Sequence, residues 1–340
     1  MNKSYDLLTL GEVLLRLSPT NGERLIRGDV FQKYIGGAEL NVASGAGLLG
    51  LRTGMITKLP GNDLGIYAKN TMLSSNVHDT FVTYDTEDDA RLGIYYYESG
   101  TYPKMPHVVY DRKHTSINKL SLSDFPEEMY TSARCFHTSG ITLALSPQCR
   151  KTAVEMIKRF KEHGAIISFD VNFRANLWSG PEAKACIEEI LPYVDIFFCS
   201  ESTARLTFLK EGSLKDIMKS FSKEYPISVM ASTQRIVHSP KSHTFGSIIY
   251  SAAQDTYYEE EPYTSIEIVD RIGSGDAYIS GALFGLLTDP DNFKRTLEFG
   301  NAVSAVKNSV PGDMQAIGLK EIESIIQSHK NAGIQLEMNR

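Results

Sequence analysis

Asp270-Arg271-Ile272-Gly273-Ser274-Gly275-Asp276-Ala277 runs directly into a small-residue stretch, Tyr278-Ile279-Ser280-Gly281-Ala282-Leu283-Phe284-Gly285. Two glycines ahead of a helix let successive backbone amides turn toward one point, and the helix start adds partial positive charge there. An anion fits that point. Asp276 falls in the first turn of a helix expected over 275–287, where the helix dipole favours a carboxylate whether or not it does chemistry. No Gly-Lys-Ser/Thr follows, so this is not a Walker A loop. It lies near the chain's end, and no GxGxxG follows the first strand, which removes the basis for a dehydrogenase.

Outward from this segment the pattern is alternating. Strands are expected at 135–138, 166–170, 196–199, 227–231 and 248–251, with helices at 149–163, 182–191, 293–309 and 319–329. Such alternation implies parallel strands joined by helical crossovers. At the other end, 5–11 reads as a buried strand, and 13–34, punctuated by Pro19, Gly22 and Gly28, as exposed hairpin structure. Gly36 and Gly37 open a small-residue helix over 38–51, followed by a strand at 53–58. The runs 81–84, 91–97 and 107–110 have the β-branched and aromatic content of strands. They are expected to join the N-terminal hairpin in a small second sheet. A frayed tail is expected after 331.

With 340 residues, 42% of them apolar and 22% charged, the chain can bury a large core. No run approaches the roughly 20 apolar residues of a membrane helix, and no signal segment opens the sequence, so the expected compartment is the cytoplasm. The net charge of −6, with mixed signs, speaks against a nucleic-acid footprint while leaving room for a local basic pocket. Cys135, Cys149, Cys186 and Cys199 are too far apart for a CxxC clip, and Cys199 sits in an apolar run, as a structural thiol does.

Gly273, Gly275 and Asp276, with Asp270 ahead of them, resemble the C-terminal signature of the ribokinase-like, or PfkB, sugar kinases. The family's second signature is matched by Gly36-Gly37-Ala38-Glu39-Leu40-Asn41-Val42-Ala43. The two occur in the expected order and at the expected separation, and the resemblance spans essentially the whole chain. It implies a three-layer α/β/α sandwich with a mostly parallel sheet and a small β lid. The core would comprise 1–11, 36–90 and 116–332, the lid 12–35 and 91–115, and the tail 333–340. It also implies ATP and magnesium as cosubstrate and cofactor, with Asp276 as the base that deprotonates a sugar hydroxyl. The amides of Gly273, Ser274, Gly275 and Asp276 would stabilise the transferring phosphoryl group. The family's N-x-x-E is replaced by Ser200-Glu201-Ser202-Thr203, leaving Glu201 as the candidate magnesium organiser. Asp270 would face a monovalent cation such as potassium, although Arg271 stands where threonine is usual. Gly246 and Asn301 are the candidates on the nucleotide side.

The substrate reading turns on arginines. Tyr110-Asp111-Arg112 and Asp170-Val171-Asn172-Phe173-Arg174 each follow a strand-like run, which places basic side chains at strand ends, where open α/β sheets bind ligands. A guanidinium there can hold a carboxylate bidentately. Both stretches are similar to those of the 2-keto-3-deoxygluconate kinase branch of the family. That likeness implies a sugar-acid substrate met by Tyr110, Arg112 and Arg174, with Gly37, Asn41, Tyr95 and Asp313 completing its site. It further implies a homodimer through the lid, with Tyr95, Tyr96 and Tyr97 available to bury an interface. Two alternatives stay open: a kinase for a neutral sugar of fructose or ribose type, and a non-catalytic sugar-binding sensor on the same fold.

Overall fold

The computed structural model describes residues 3–331. Its centre is a ten-stranded sheet. From one edge the order runs β5 (Val77–Asp85), β4 (Thr53–Pro60), β1 (Tyr5–Leu10), β8 (Ala133–Ser139), β9 (Ile166–Asp170), β10 (Ile196–Phe198) and β11 (Val229–Ser239), with every neighbouring pair parallel. The sheet ends in antiparallel strands: β12 (Ser242–Ser251) pairs with β11, and β13 (Thr256–Glu259) and β14 (Tyr263–Glu267) pair with β12. Leu7, Leu8, Phe136, Ile167 and Phe197 are fully buried because helices cover both faces of the parallel part.

One helical layer holds α3 (Gly140–Ala144), α4 (Pro147–Glu162), α5 (Gly180–Ile190) and α7 (Leu214–Glu224), whose apolar sides share one core with β8 and β9. The other holds α1 (Ala38–Leu48), α8 (Ser274–Thr288), α9 (Phe293–Lys307) and α10 (Leu319–Lys330). α2 (Asp63–Ser74) packs beside β5, and the short α6 (Glu201–Leu206) follows β10. Local chemistry sets the helix starts. Asn62 caps α2 by accepting from the amides of Leu64 and Gly65, while Ser179 with Glu182 and Ser213 with Asp216 form reciprocal capping boxes on α5 and α7.

A separate four-stranded sheet sits over the C-terminal ends of the parallel strands. Its order is β3 (Phe31–Gly36), β2 (Leu14–Pro19), β6 (Gly93–Glu98) and β7 (His107–Asp111). The segment 81–84 does not belong to it: β5 pairs in parallel with β4 and forms the edge of the large sheet. Strand-like composition cannot say which sheet a strand joins. Tyr95 and Tyr97 also depart from the interface reading, being 5% and 6% exposed and turned inward, whereas Tyr96 packs on Phe31 with ring centroids 6.3 Å apart. The large apolar or aromatic side chains left exposed on this sheet are Phe31, Val109 and Tyr110. All four cysteines are buried and unpaired. The expected tail at 333–340 lies outside the described residues. No helix among the described residues is long and apolar enough to cross a membrane.

Candidate active site

Two glycines bring the halves of the site together. Gly37 joins β3 to α1 at φ 140, and a Cβ there would lie 2.1 Å from the Glu12 carbonyl oxygen. Gly273 caps α8 in the left-handed region at φ 79, where a Cβ would meet the Asp313 carbonyl oxygen at 1.9 Å. Side chains are excluded at both positions by space and by backbone. α1 and α8 therefore start side by side, and the Asn41 amide donates to the Asp276 carboxylate at 2.7 Å.

Asp276 stands in the first turn of α8 on the wall of a cavity of about 460 Å³. Desolvation pushes its carboxyl up to about 6; Asn41 and Arg174 pull the other way, while the carboxyls of Glu39 and Asp313 add to the rise. Asp170, at the end of β9, is raised to about 7, chiefly by desolvation and then by Asp276. Neither carboxylate has a cationic group within 4 Å among the described residues. Of the amides at the helix start, Ser274's turns back to the Arg271 carbonyl at 3.3 Å, and those of Gly275 and Asp276 have no partner within the described chain. Nothing lies within 4 Å of a Cβ placed on Gly275, so open space faces these amides.

Gly37, Asn41, Tyr95, Tyr110, Arg112, Arg174, Gly273, Ser274, Gly275, Asp276 and Asp313 all line this one cavity. Their engagements differ from the expectations in three places. Arg112 is buried against Glu12, which also receives the Thr115 hydroxyl at 3.4 Å, so its charge is already met. Asp313 accepts from the Tyr95 hydroxyl and from Arg16 Nη1 at 3.0 Å. Asp270, expected beside a monovalent cation, faces Arg16 Nη1 at 2.7 Å, and its two carboxylate oxygens accept from the amides of Ile272 and Gly312. The Lys307 ammonium, fully buried, donates to the Asp270 and Val310 carbonyls. By contrast Arg174 is exposed at the cavity wall and bonds only the carbonyl of Phe173.

Sequence reasoning missed Arg16, Glu12, Glu39 and Lys307. Arg16 lies 4.4 Å from the Tyr97 ring centroid and 5.0 Å from that of Tyr34. Its signal was a charge on the face of β2 that also carries Leu14, which packs with Tyr95 and Tyr97. Burial opposes its charge, but Asp270 and Asp313 outweigh that and lift its pKa. Glu39, fully buried and held by Ser139 and Thr142, is pushed up by burial.

A second cavity of about 220 Å³ adjoins the first through Asp170, Asn172, Arg174 and Gly275, and is further lined by Ser200, Thr203 and Thr233. Three candidates do not reach either cavity. Glu201 is half exposed and paired with Arg205 at 2.6 Å. Gly246 sits mid-strand opposite Gln234 with Pro262 over it. Asn301 is buried in α9, accepting from Ser247 at 2.7 Å and donating to Glu260 at 2.6 Å.

Residues 5–317 match the family described as pfkB family carbohydrate kinase. The chain belongs to the PfkB family of carbohydrate kinases. Within this family it is 31% identical to a 2-dehydro-3-deoxygalactonokinase of Haloferax volcanii, over 97% of this chain and 98% of that one. The structure of a 2-dehydro-3-deoxygluconokinase of Thermotoga maritima superposes with a TM-score of 0.89 at 30% identity, covering 94% of this chain and 99% of that one. A PfkB family carbohydrate kinase of Listeria grayi gives 0.88 at 35% identity, with 94% and 99% covered. The fold is accordingly ribokinase-like, and the PfkB chain is a carbohydrate kinase.

Proposed function

We propose that this PfkB kinase transfers the γ-phosphoryl group of ATP to a hydroxyl of a 2-keto-3-deoxy sugar acid, with 2-keto-3-deoxygluconate giving its 6-phosphate. The observation that carries the acid is Arg174, a guanidinium without an acidic partner on the wall of the cavity that holds Asp276. The names of the Haloferax and Thermotoga relatives agree with it, and the first keeps the galactonate epimer among the substrates to try.

The sugar would lie under the four-stranded lid, its carboxylate toward Arg174 and its hydroxyls toward Asn41 and the Tyr95–Asp313 pair. Asp276 takes the hydroxyl proton as the oxygen attacks phosphorus, and ADP leaves through the adjoining cavity beside Ser200 and Thr233. The free amides of Gly275 and Asp276 receive the charge that builds on the transferring oxygens. Magnesium, when bound with the nucleotide, neutralises phosphate charge. No group of three or more acidic, histidine or cysteine side chains able to hold a metal occurs among the described residues, which fits an ion carried mostly by phosphates and water. Asp170 is the residue that would hold it, since a second uncompensated carboxyl beside Asp276 favours a cation there. Potassium is not part of the proposal, because Arg16 and Lys307 already place positive charge at Asp270.

Lid closure over the sugar and a dimer through the lid's exposed Phe31 and Val109 complete the proposal. Saturating acid should slow amide exchange in residues 91–115, and sedimentation should give the mass of two chains; unchanged exchange or a monomer removes the corresponding part. The acid itself is tested by calorimetric titration of Arg174→Ala with 2-keto-3-deoxygluconate and with a neutral sugar of similar length. Loss of a charge-assisted bond should weaken the acid roughly ten- to a hundred-fold and leave the neutral sugar alone. Equal affinity of mutant and wild type for the acid would remove the carboxylate from this site.

A further inference from the structure

Two more arginines line the large cavity, and neither has an acidic partner, a hydrogen bond or an aromatic face among the described residues. Arg271 immediately precedes the turn that starts α8, its own carbonyl holding the Ser274 amide. Arg235 comes from the other side, on β11, a strand that continues past the parallel sheet into a long hairpin with β12. They stand close enough that Arg271, after desolvation, lowers the pKa of Arg235, and His243 is depressed by desolvation first and then by both arginines. Two guanidiniums this near each other, neither paired with a carboxylate, repel, and an anion with several oxygens relieves the repulsion.

The inference rests on the kinase reading above but not on the identity of the sugar. We propose that Arg235 and Arg271 form a two-arginine clamp on the transferring phosphoryl group, closing it from the side opposite the Gly275 and Asp276 amides. Position favours phosphate over the sugar's carboxylate. Arg271 adjoins in sequence the turn whose free amides await an anion, whereas Arg174, on the loop after β9, is left for the carboxylate. A phosphoryl group in flight spreads its charge over three oxygens, and forked guanidiniums on one side with amides on the other match that distribution. Because only ATP places a phosphoryl group between the arginines and those amides, the clamp should distinguish ATP from ADP.

The test uses Arg235→Ala, Arg271→Ala and the corresponding Arg→Lys variants of the full chain. Affinities for ADP and for the β,γ-imido analogue of ATP, both with magnesium, are measured by calorimetry, and kcat and KM with whichever sugar wild type accepts. Each Ala variant should bind ADP as wild type does, lose roughly ten- to a hundred-fold in affinity for the triphosphate analogue, and lose at least as much in kcat. The sugar KM should stay within about two-fold. The Lys variants should recover part of the loss, which a merely structural role would not produce. Unaltered triphosphate affinity and kcat overturn the clamp. So does a rise in sugar-acid KM with nucleotide binding intact, which would reassign the pair to the carboxylate. If wild type phosphorylates only neutral sugars, the substrate reading fails while the nucleotide comparison still decides the clamp.

Discussion

Position and environment together support Asp276 as the proposed base. The Asn41 amide fixes one carboxylate oxygen at 2.7 Å, and desolvation brings the group to about 6, closer to working pH than a free aspartate. Asp276→Asn should keep nucleotide and sugar binding and lower turnover roughly a hundred- to ten-thousand-fold; a variant with more than half of wild-type turnover refutes the assignment. The raised pKa also fixes a sign. Below about pH 4 the carboxyl is protonated folded or unfolded and costs nothing; above about 6 the folded protein carries a desolvated charge that the unfolded chain solvates. The Asn variant should therefore melt higher than wild type at pH 8 and alike at pH 4, and wild-type activity should fall as pH drops through about 6. Arg112 lines the same cavity and also forms a buried ion pair with Glu12, the two side chains being 7% and 2% exposed. Arg112→Ala strands the Glu12 carboxylate and should cost about 3–5 kcal/mol in chemical denaturation. Wild-type stability together with lost acid binding would restore the carboxylate role. No sequence reading pairs residues 100 positions apart, so the Glu12–Arg112 pair is legible only in the fold.

At the scale of elements, the site depends on two helix starts held by glycine. Gly273→Ala meets a carbonyl at 1.9 Å from a left-handed backbone, whereas the same change at Gly275 enters open space in an ordinary conformation. The first should destabilise by about 1–3 kcal/mol or more. The second should leave the melt unchanged and lower turnover on the order of a hundred-fold, because its methyl enters the space proposed for the phosphoryl group. Equal stability losses at both sites would contradict this division. The two signature segments were legible in sequence because they are local: glycines, a helix start and Asn41 four residues after Gly37. α7 was legible too, with Leu214, Ile217, Met218 and Phe221 at helical spacing, and went unread. Lid and edge strands were not separable, since β5 and β6 share the same composition and only pairing assigns them. Alternation in β6 could have turned Tyr95 and Tyr97 to the face opposite Tyr96, but only the placed lid says which face is inner.

For the whole molecule, the architecture brings carboxyl groups, arginines and the free amides of a helix start into one cavity by setting a small sheet over the ends of a large one. Arg16 on β2 ties that lid to Asp270 and Asp313 of the core, so lid and core share a buried charge network. What the network leaves unneutralised is basic: Arg174, Arg235 and Arg271 around one pair of carboxyls. A cavity so built favours a substrate that brings its own negative charge, beyond that of the nucleotide. The direct measurement is ADP release by the purified wild-type enzyme, with ATP and magnesium, across 2-keto-3-deoxygluconate, its galactonate epimer, fructose and ribose. For one of the two acids kcat/KM should lie at least a hundred-fold above that of either neutral sugar; a neutral sugar matching or exceeding both acids would contradict the sugar-acid assignment.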